Sequence, residues 1–331
     1  MEVFGHIVLL VIGFVLLVKG ADIFVDGSAD LARHFRVPGV VIGLTIVALG
    51  TSAPELAVSS VAAIQGANEI ALSNVVGSNI FNLLVVLGIC ALIRPVPVDP
   101  MIVKRDYPVS LGAVLLVFLF SSAGVFVHGL PEDEGTRGVD MTGKAGEVGR
   151  WVGILILLLF IIYIVLLIRE ARKHPEETVD SEEKPLKRSI LLIISGLAMV
   201  ILGGEGVVRG ARYIASFFGM SETLIGLTIV AVGTSLPELV TSIVAARKGE
   251  NGLAVGNVVG SNIFNLLFIL GVSSAIHPVE VNMASFFDMI ILFTVSVIVY
   301  LLVLPRRLIG RKEGWIMLLL YLADMGFAIV R

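Results

Sequence analysis

Residues Gly43–Gly88 read GLTIVALGTSAPELAVSSVAAIQGANEIALSNVVGSNIFNLLVVLG. The stretch is apolar enough for a membrane helix, yet its middle holds Gly50, Thr51, Ser52, Pro54 and Glu55, followed by Gly77, Ser78, Asn79 and Asn82. Residues Gly226–Gly271 repeat it at a constant offset of 183 without a gap, and 32 of the 46 aligned positions are identical. Every polar residue just named is among the identities. A polar, helix-breaking cluster is thus written twice into apolar sequence, and the chain divides around it. A first repeat takes residues 1–169, a charged connector 170–187, and a second repeat 188–331.

The surroundings set the solvent. Of the 331 residues 56% are hydrophobic and 15% charged, where a soluble protein carries roughly 25% charged residues. Apolar runs of helix-spanning length recur from end to end, so the chain reads as an all-α polytopic membrane protein. A net charge of −3 gives no surface for nucleic acid. Cys90, the only cysteine, lies in an apolar run and reads as a buried, unreactive thiol. Glu2 stands where a signal peptide would carry basic residues, so Val3–Val18 reads as a retained membrane helix.

Ten spans are expected, at 4–32, 37–65, 69–93, 107–127, 150–169, 188–217, 221–247, 252–276, 285–304 and 313–330. With the N-terminus outside, the inner loops hold 17 of the 24 Lys and Arg residues. The positive-inside rule therefore places both termini outside. Five spans per repeat is an odd number, so the second repeat enters the membrane from the opposite side and the repeats are inverted. The acidic loop His128–Arg150 reads as an ordinary solvated loop on the outer side.

Within each copy the chemistry is all oxygen. Proline in a membrane helix removes a donor and frees backbone carbonyls, which in hydrocarbon need a partner. A bound cation is one such partner; a neighbouring Ser, Thr or Asn, or a water, is another. Thr51, Ser52 and Glu55, and their copies Thr234, Ser235 and Glu238, add two hydroxyls and a carboxylate each. Hard cations such as Ca²⁺ and Na⁺ prefer oxygen ligands, and with no His or Cys in the motifs zinc, copper and nickel are disfavoured. A mid-span carboxylate is expensive and marks function, and inverted repeats bring equivalent points together near the midplane. Glu55 and Glu238 are therefore expected to face each other. Ser78 and Asn82 are four apart and share a helix face, as do Ser261 and Asn265, so these pairs could complete a cage. Ser73, Asn74, Asn79, Asn257 and Asn262 read as packing residues that bond across helices, or as further ligands.

At these residues the sequence resembles the sodium/calcium exchangers of the cation/calcium exchanger superfamily, whose two alpha repeats each carry G-T-S-x-P-E. The resemblance implies a ten-helix fold and a central site on the second, third, seventh and eighth helices. Carried across, the ion ligands fall on Thr51, Ser52, Glu55, Ser78, Asn82, Thr234, Ser235, Glu238, Ser261 and Asn265, with backbone carbonyls at Ala48 and Ala231. It implies a Na⁺/Ca²⁺ antiporter of the cell membrane, with no cofactor, in which a monomer suffices. Calcium/proton exchangers of the superfamily usually carry a G-N-A-x-E type motif, which is missing here. Some relatives, including potassium-dependent ones, place Asp where this chain has Asn265, so no potassium requirement is expected. The connector leaves no room for the calcium-binding domains of animal exchangers. The resemblance also makes the first and sixth helices the sliding pair. Asp22, Asp26 and Asp30 lie on one face of the first, as gate residues or as interfacial charges snorkelling to water. The competing classes are a Ca²⁺/H⁺ exchanger, a passive cation channel, and an intramembrane protease with two acids.

Overall fold

The computed structural model describes residues 2–66, 68–131, 139–173, 185–220, 229 and 231–330. Its helices are α1 (Glu2–Phe35), α2 (Gly39–Thr51), α3 (Ala53–Ile64), α4 (Ile70–Ile93), α5 (Tyr107–Ser121), α6 (Ala123–His128) and α7 (Arg150–Lys173) in the first repeat. The second repeat follows with α8 (Leu186–Phe217), α9 (Ala231–Thr234), α10 (Leu236–Lys248), α11 (Asn251–Ile276), α12 (Met283–Val303) and α13 (Arg311–Val330). Among the described residues six helices are long and apolar enough to cross a membrane, or seven if the bent pair α2–α3 counts as one span. The expected span 107–127 is broken at Ser122, between α5 and α6. Of the expected span 221–247, residues 221–228 and 230 lie outside the described residues, as do 174–184 of the connector.

Burial separates the helices into a centre and a rim. In the apolar windows of α4 and α11, 78% and 94% of residues are buried, against 28% for α1, 22% for α7 and 33% for α8. The duplicated stretch therefore supplies the middle of the bundle, and the uniformly apolar helices around it present Phe14, Leu158, Ile162 and Leu202 outward as exposed side chains. Apolar residues facing outward are what a bilayer solvates.

α1 and α8 pack against each other along their length in opposite directions. Gly13 meets Gly203, Gly20 meets Gly196, and Gly27 meets Ser189–Ile193. A Cβ on Gly20 would stand 2.8 Å from the Gly196 carbonyl oxygen, and one on Gly203 2.5 Å from the Leu17 nitrogen. Only glycine lets two backbones approach this closely. These glycines recur every seventh residue, at 13, 20 and 27 and again at 196, 203 and 210. The two copies of this helix run antiparallel, with equivalent residues exchanging partners.

Two features were absent from the sequence reading. Short antiparallel strands tie the repeats at the bundle ends: β1 (Val96–Pro97) pairs with β4 (Leu308–Ile309), and β2 (Lys144–Val148) with β3 (Val279–Asn282). The loop expected to be merely solvated between His128 and Arg150 thus contains a paired strand, with Val148 and Ala145 buried. The second feature is a widening of the helices into π turns at Gly43–Val47, Ile102–Asp106, Asn82–Val86 and Phe264–Ile269. The last two are repeat-related and begin beside Asn82 and Asn265, in keeping with the tendency of π turns to mark functional positions.

Candidate ion-binding site

The proline motif folds as two helices end to end. Ser52 leaves helical geometry, with φ −83° and ψ 10°, and the axis turns by 50° between α2 and α3. Ser235 does the same between α9 and α10, with φ −91° and ψ 6°. Pro54 and Pro237 become the second residue of the new helix, where a missing N–H costs nothing because no carbonyl would have received it. The sequence placed a break at proline; the structure moves it two residues earlier, onto serine. At each break the carbonyl end of one helix, which favours cations, meets the amide end of the next. That amide end favours an ionised carboxylate, and Glu55 and Glu238 sit in its first turn.

Both glutamates are fully buried, as are Thr51, Ser52, Asn82, Ser235, Ser261 and Asn265, and Ser78 is nearly so. The repeats reach into each other. Ser52 Oγ donates to Glu238 Oε1 at 2.7 Å, and in the mirrored bond Ser235 Oγ donates to Glu55 Oε1 at 3.2 Å. Ser235 Oγ also lies 3.2 Å from Ser78 Oγ, while Ser261 Oγ is 3.5 Å from Glu238 Oε1. The structure thus sets Ser52, Glu238 and Ser261 in one hydrogen-bonded group and Ser235, Glu55 and Ser78 in its mirror. Thr51 Oγ1 lies 3.0 Å from Asn257 Oδ1 and 3.1 Å from the Val47 carbonyl. The Ala48 carbonyl accepts from Ser52 N at 3.0 Å and lies 3.4 Å from Thr51 Oγ1. Ala231 and Thr234 begin and end α9, and Thr234 is half-buried.

A second layer has the same exchange symmetry. Asn74 Nδ2 reaches the Glu55 carbonyl at 3.4 Å and Ser59 Oγ at 3.0 Å; Asn257 Nδ2 reaches the Glu238 carbonyl at 3.4 Å and Ser242 Oγ at 2.9 Å. These two asparagines hold the helix that carries each glutamate. Asn79 and Asn262 cross between repeats, each Nδ2 donating to the other's main-chain carbonyl at 3.3 Å. A bond from one repeat matched by its mirror from the other is the signature of a local two-fold axis.

Among the described residues, four buried oxygens in this region have no hydrogen-bond partner: Glu55 Oε2, Glu238 Oε2, Asn82 Oδ1 and Asn265 Oδ1. An unsatisfied buried acceptor costs roughly 1–3 kcal/mol, more if charged. These four are two repeat-related pairs, all acceptors. A cation is a ligand that satisfies acceptors without requiring donors. Among the described residues no group of three or more His, Cys, Asp and Glu comes together.

A family model described as sodium/calcium exchanger protein matches residues 5–169 and 188–330. The chain belongs to the sodium/calcium exchanger family. It is 33% identical over 338 residues to the sodium/calcium exchanger MaX1 of Methanosarcina acetivorans, covering 96% of this chain and 97% of that one. It is 34% identical over 305 residues to the inner membrane protein YrbG of Escherichia coli, covering 89% and 87%. The solved structure of the sodium-calcium exchanger NCX_Mj superposes with a TM-score of 0.81 at 34% identity, covering 98% of this chain and 99% of that one. The chain is thus a multi-pass membrane exchanger of the cation/calcium type.

Outside the centre, this exchanger chain pairs the acids of its first helix. Lys248, at the end of α10, bonds Asp22 Oδ1 at 2.8 Å and Asp26 Oδ1 at 2.7 Å. Asp30 is buried and bonds Arg33, which also reaches Glu250. Of the three aspartates expected on one face, Asp22 and Asp26 therefore tie α1 to α10, while Asp30 bonds Arg33 within α1, and Arg33 in turn reaches Glu250 just before α11. The equivalent positions in the second repeat are Glu205 and Arg209, which pair with each other on α8, and Lys248 is matched by Gln65.

Proposed function

We propose that the chain is a secondary antiporter that exchanges Na⁺ for Ca²⁺ by alternating access, with the ions held between the two repeats. The observation that carries this reading is the set of four partnerless buried oxygens on Glu55, Glu238, Asn82 and Asn265. Two carboxylates balance one Ca²⁺ in charge, and the serine and threonine hydroxyls with the Ala48 and Ala231 carbonyls offer Na⁺ neutral oxygens. Competition follows, because Ca²⁺ and Na⁺ need the same carboxylates and one loads as the other leaves. The names of MaX1 and NCX_Mj as sodium/calcium exchangers support the choice of ions.

The full architecture in this proposal is ten spans in two inverted repeats, 1–169 and 188–331, joined by the connector 170–187, with both termini outside the cell membrane. The antiparallel packing of α1 on α8 supports the inversion. So do contacts between loops that the topology puts on one side: Lys144 with Glu280 outside, and Arg33 with Glu250 and Val96 with Ile309 inside. No cofactor and no partner chain enter the proposal, and a monomer suffices.

A Ca²⁺/H⁺ exchanger is the second reading, favoured by the complete burial of both glutamates, since buried carboxylates can take protons in place of Na⁺. Melting temperature in detergent tests the binding step, because a ligand that binds only the folded state raises it. Ca²⁺ is expected to raise the melting temperature of the native chain, and Na⁺ to compete. Glu55→Gln and Glu238→Gln are expected to remove the effect; retention of the full Ca²⁺ shift in both would overturn the site.

A further inference from the structure

We propose that Asn79 and Asn262 are positioning residues which fix the end of the Asn265 and Asn82 amides that faces the ion. The proposal rests on the reading of Asn82 and Asn265 as ion ligands. An asparagine amide has an acceptor oxygen and a donor NH₂ of nearly the same shape, so its orientation follows from its partners. Here those partners leave no choice. Asn79 Nδ2 lies 3.3 Å from the main-chain carbonyl of Asn262, a group that can only accept. The Asn79 Oδ1 is therefore on the other side, where Asn265 Nδ2 donates to it at 3.0 Å. Asn265 is then committed: turning its amide over would set two oxygens against each other. Its Oδ1 is left buried and, among the described residues, without a hydrogen-bond partner.

The second copy repeats each step. Asn262 Nδ2 donates to the Asn79 carbonyl at 3.3 Å, Asn262 Oδ1 accepts from Asn82 Nδ2 at 3.3 Å, and Asn82 Oδ1 is buried and partnerless among the described residues. Two backbone carbonyls thus dictate, through two asparagines, that a pair of buried amides present oxygen and not NH₂. A flipped amide would aim positive dipole at a cation. Cross-helix packing alone would use Asn79 and Asn262 equally well, but it gives no reason for the orphaned oxygens to fall on their partners.

The test is a double-mutant cycle on Ca²⁺ affinity, read from the Ca²⁺ dependence of melting temperature in detergent. Asn79→Leu removes the acceptor that orients Asn265 and is expected to lower affinity at least tenfold. In the Asn265→Asp background a carboxylate offers oxygen whichever way it turns, so adding Asn79→Leu is expected to change affinity twofold or less. The same cycle with Asn262→Leu and Asn82→Asp gives an independent copy should one variant fail to fold. Equal losses in both backgrounds would mean a purely structural role and overturn the proposal, as would no loss in either. Asn265→Leu separates the two levels: if it leaves Ca²⁺ affinity unchanged, the ligand reading itself has failed.

Discussion

At the residue scale, two glutamates in an apolar chain are the strongest signal, and the sequence alone exposes them. A carboxylate inside a span has no packing rationale, and its duplication at an offset of 183 makes chance implausible. Their serine partners were legible as ligand types but not as cross-repeat bonds, because sequence spacing says nothing about contacts 180 or 186 residues apart. Sequence alone leaves Asn79 and Asn262 between packing and ligand roles; their bonds to backbone carbonyls depend on the crossing of α4 and α11, which no local pattern encodes. Replacing Glu238 by Gln removes one of two charges facing a divalent cation. A charge pair about 4 Å apart is worth about 4 kcal/mol at an effective dielectric near 20, so Ca²⁺ affinity in equilibrium binding is expected to fall by about 1,000-fold. Ser52→Ala removes a hydroxyl that bonds Glu238 and is expected to cost about tenfold, in line with roughly 1.5 kcal/mol for a hydrogen bond to a charged group. Asn265 brings no charge, so replacing K⁺ by choline in the same assay is expected to leave affinity unchanged.

At the element scale, the glycine stripe was present in the sequence but is weak evidence by itself, since glycine is common throughout this chain at 35 residues. Only the antiparallel contact of α1 and α8 shows why it recurs every seven residues. Gly20→Ala would set a Cβ 2.6 Å from Met199 Cβ, and overpacking of this kind costs about 1–3 kcal/mol; thermal unfolding in detergent should register the loss. The end strands β1 to β4 were not legible, being only two to five residues long. Lys248 holds α1 to α10 at one end through two aspartates, while the matching position is Gln65. If α1 moves during transport, Lys248→Gln should loosen that end. Ala21 is fully buried in α1; in a Cys90→Ala background, Ala21→Cys is expected to react several-fold faster with an impermeant thiol reagent from the inner side once Lys248 is changed. An unchanged rate would show that the ion pairs do not hold the helix closed.

At the scale of the whole molecule, the membrane class and the twofold repetition were readable because composition and self-similarity are global properties of a sequence. The described helices agree with six or seven of the ten expected spans by length and apolarity. Of the rest, 107–127 is shortened by the break at Ser122, 221–247 extends beyond the described residues, and 313–330 is the single helix α13. Exchange stoichiometry has electrical consequences: more than two Na⁺ per Ca²⁺ moves net charge, and a membrane potential then biases the flux by about 2.3 kcal/mol per charge per 100 mV. The central claim is that Na⁺ drives Ca²⁺ through this chain. Ca²⁺ uptake into proteoliposomes loaded with Na⁺, compared with vesicles carrying only a K⁺ or a pH gradient, tests it most directly. The account predicts uptake that depends on the outward Na⁺ gradient and disappears in Glu55→Gln. Uptake that ignores Na⁺ and follows the pH gradient would contradict it.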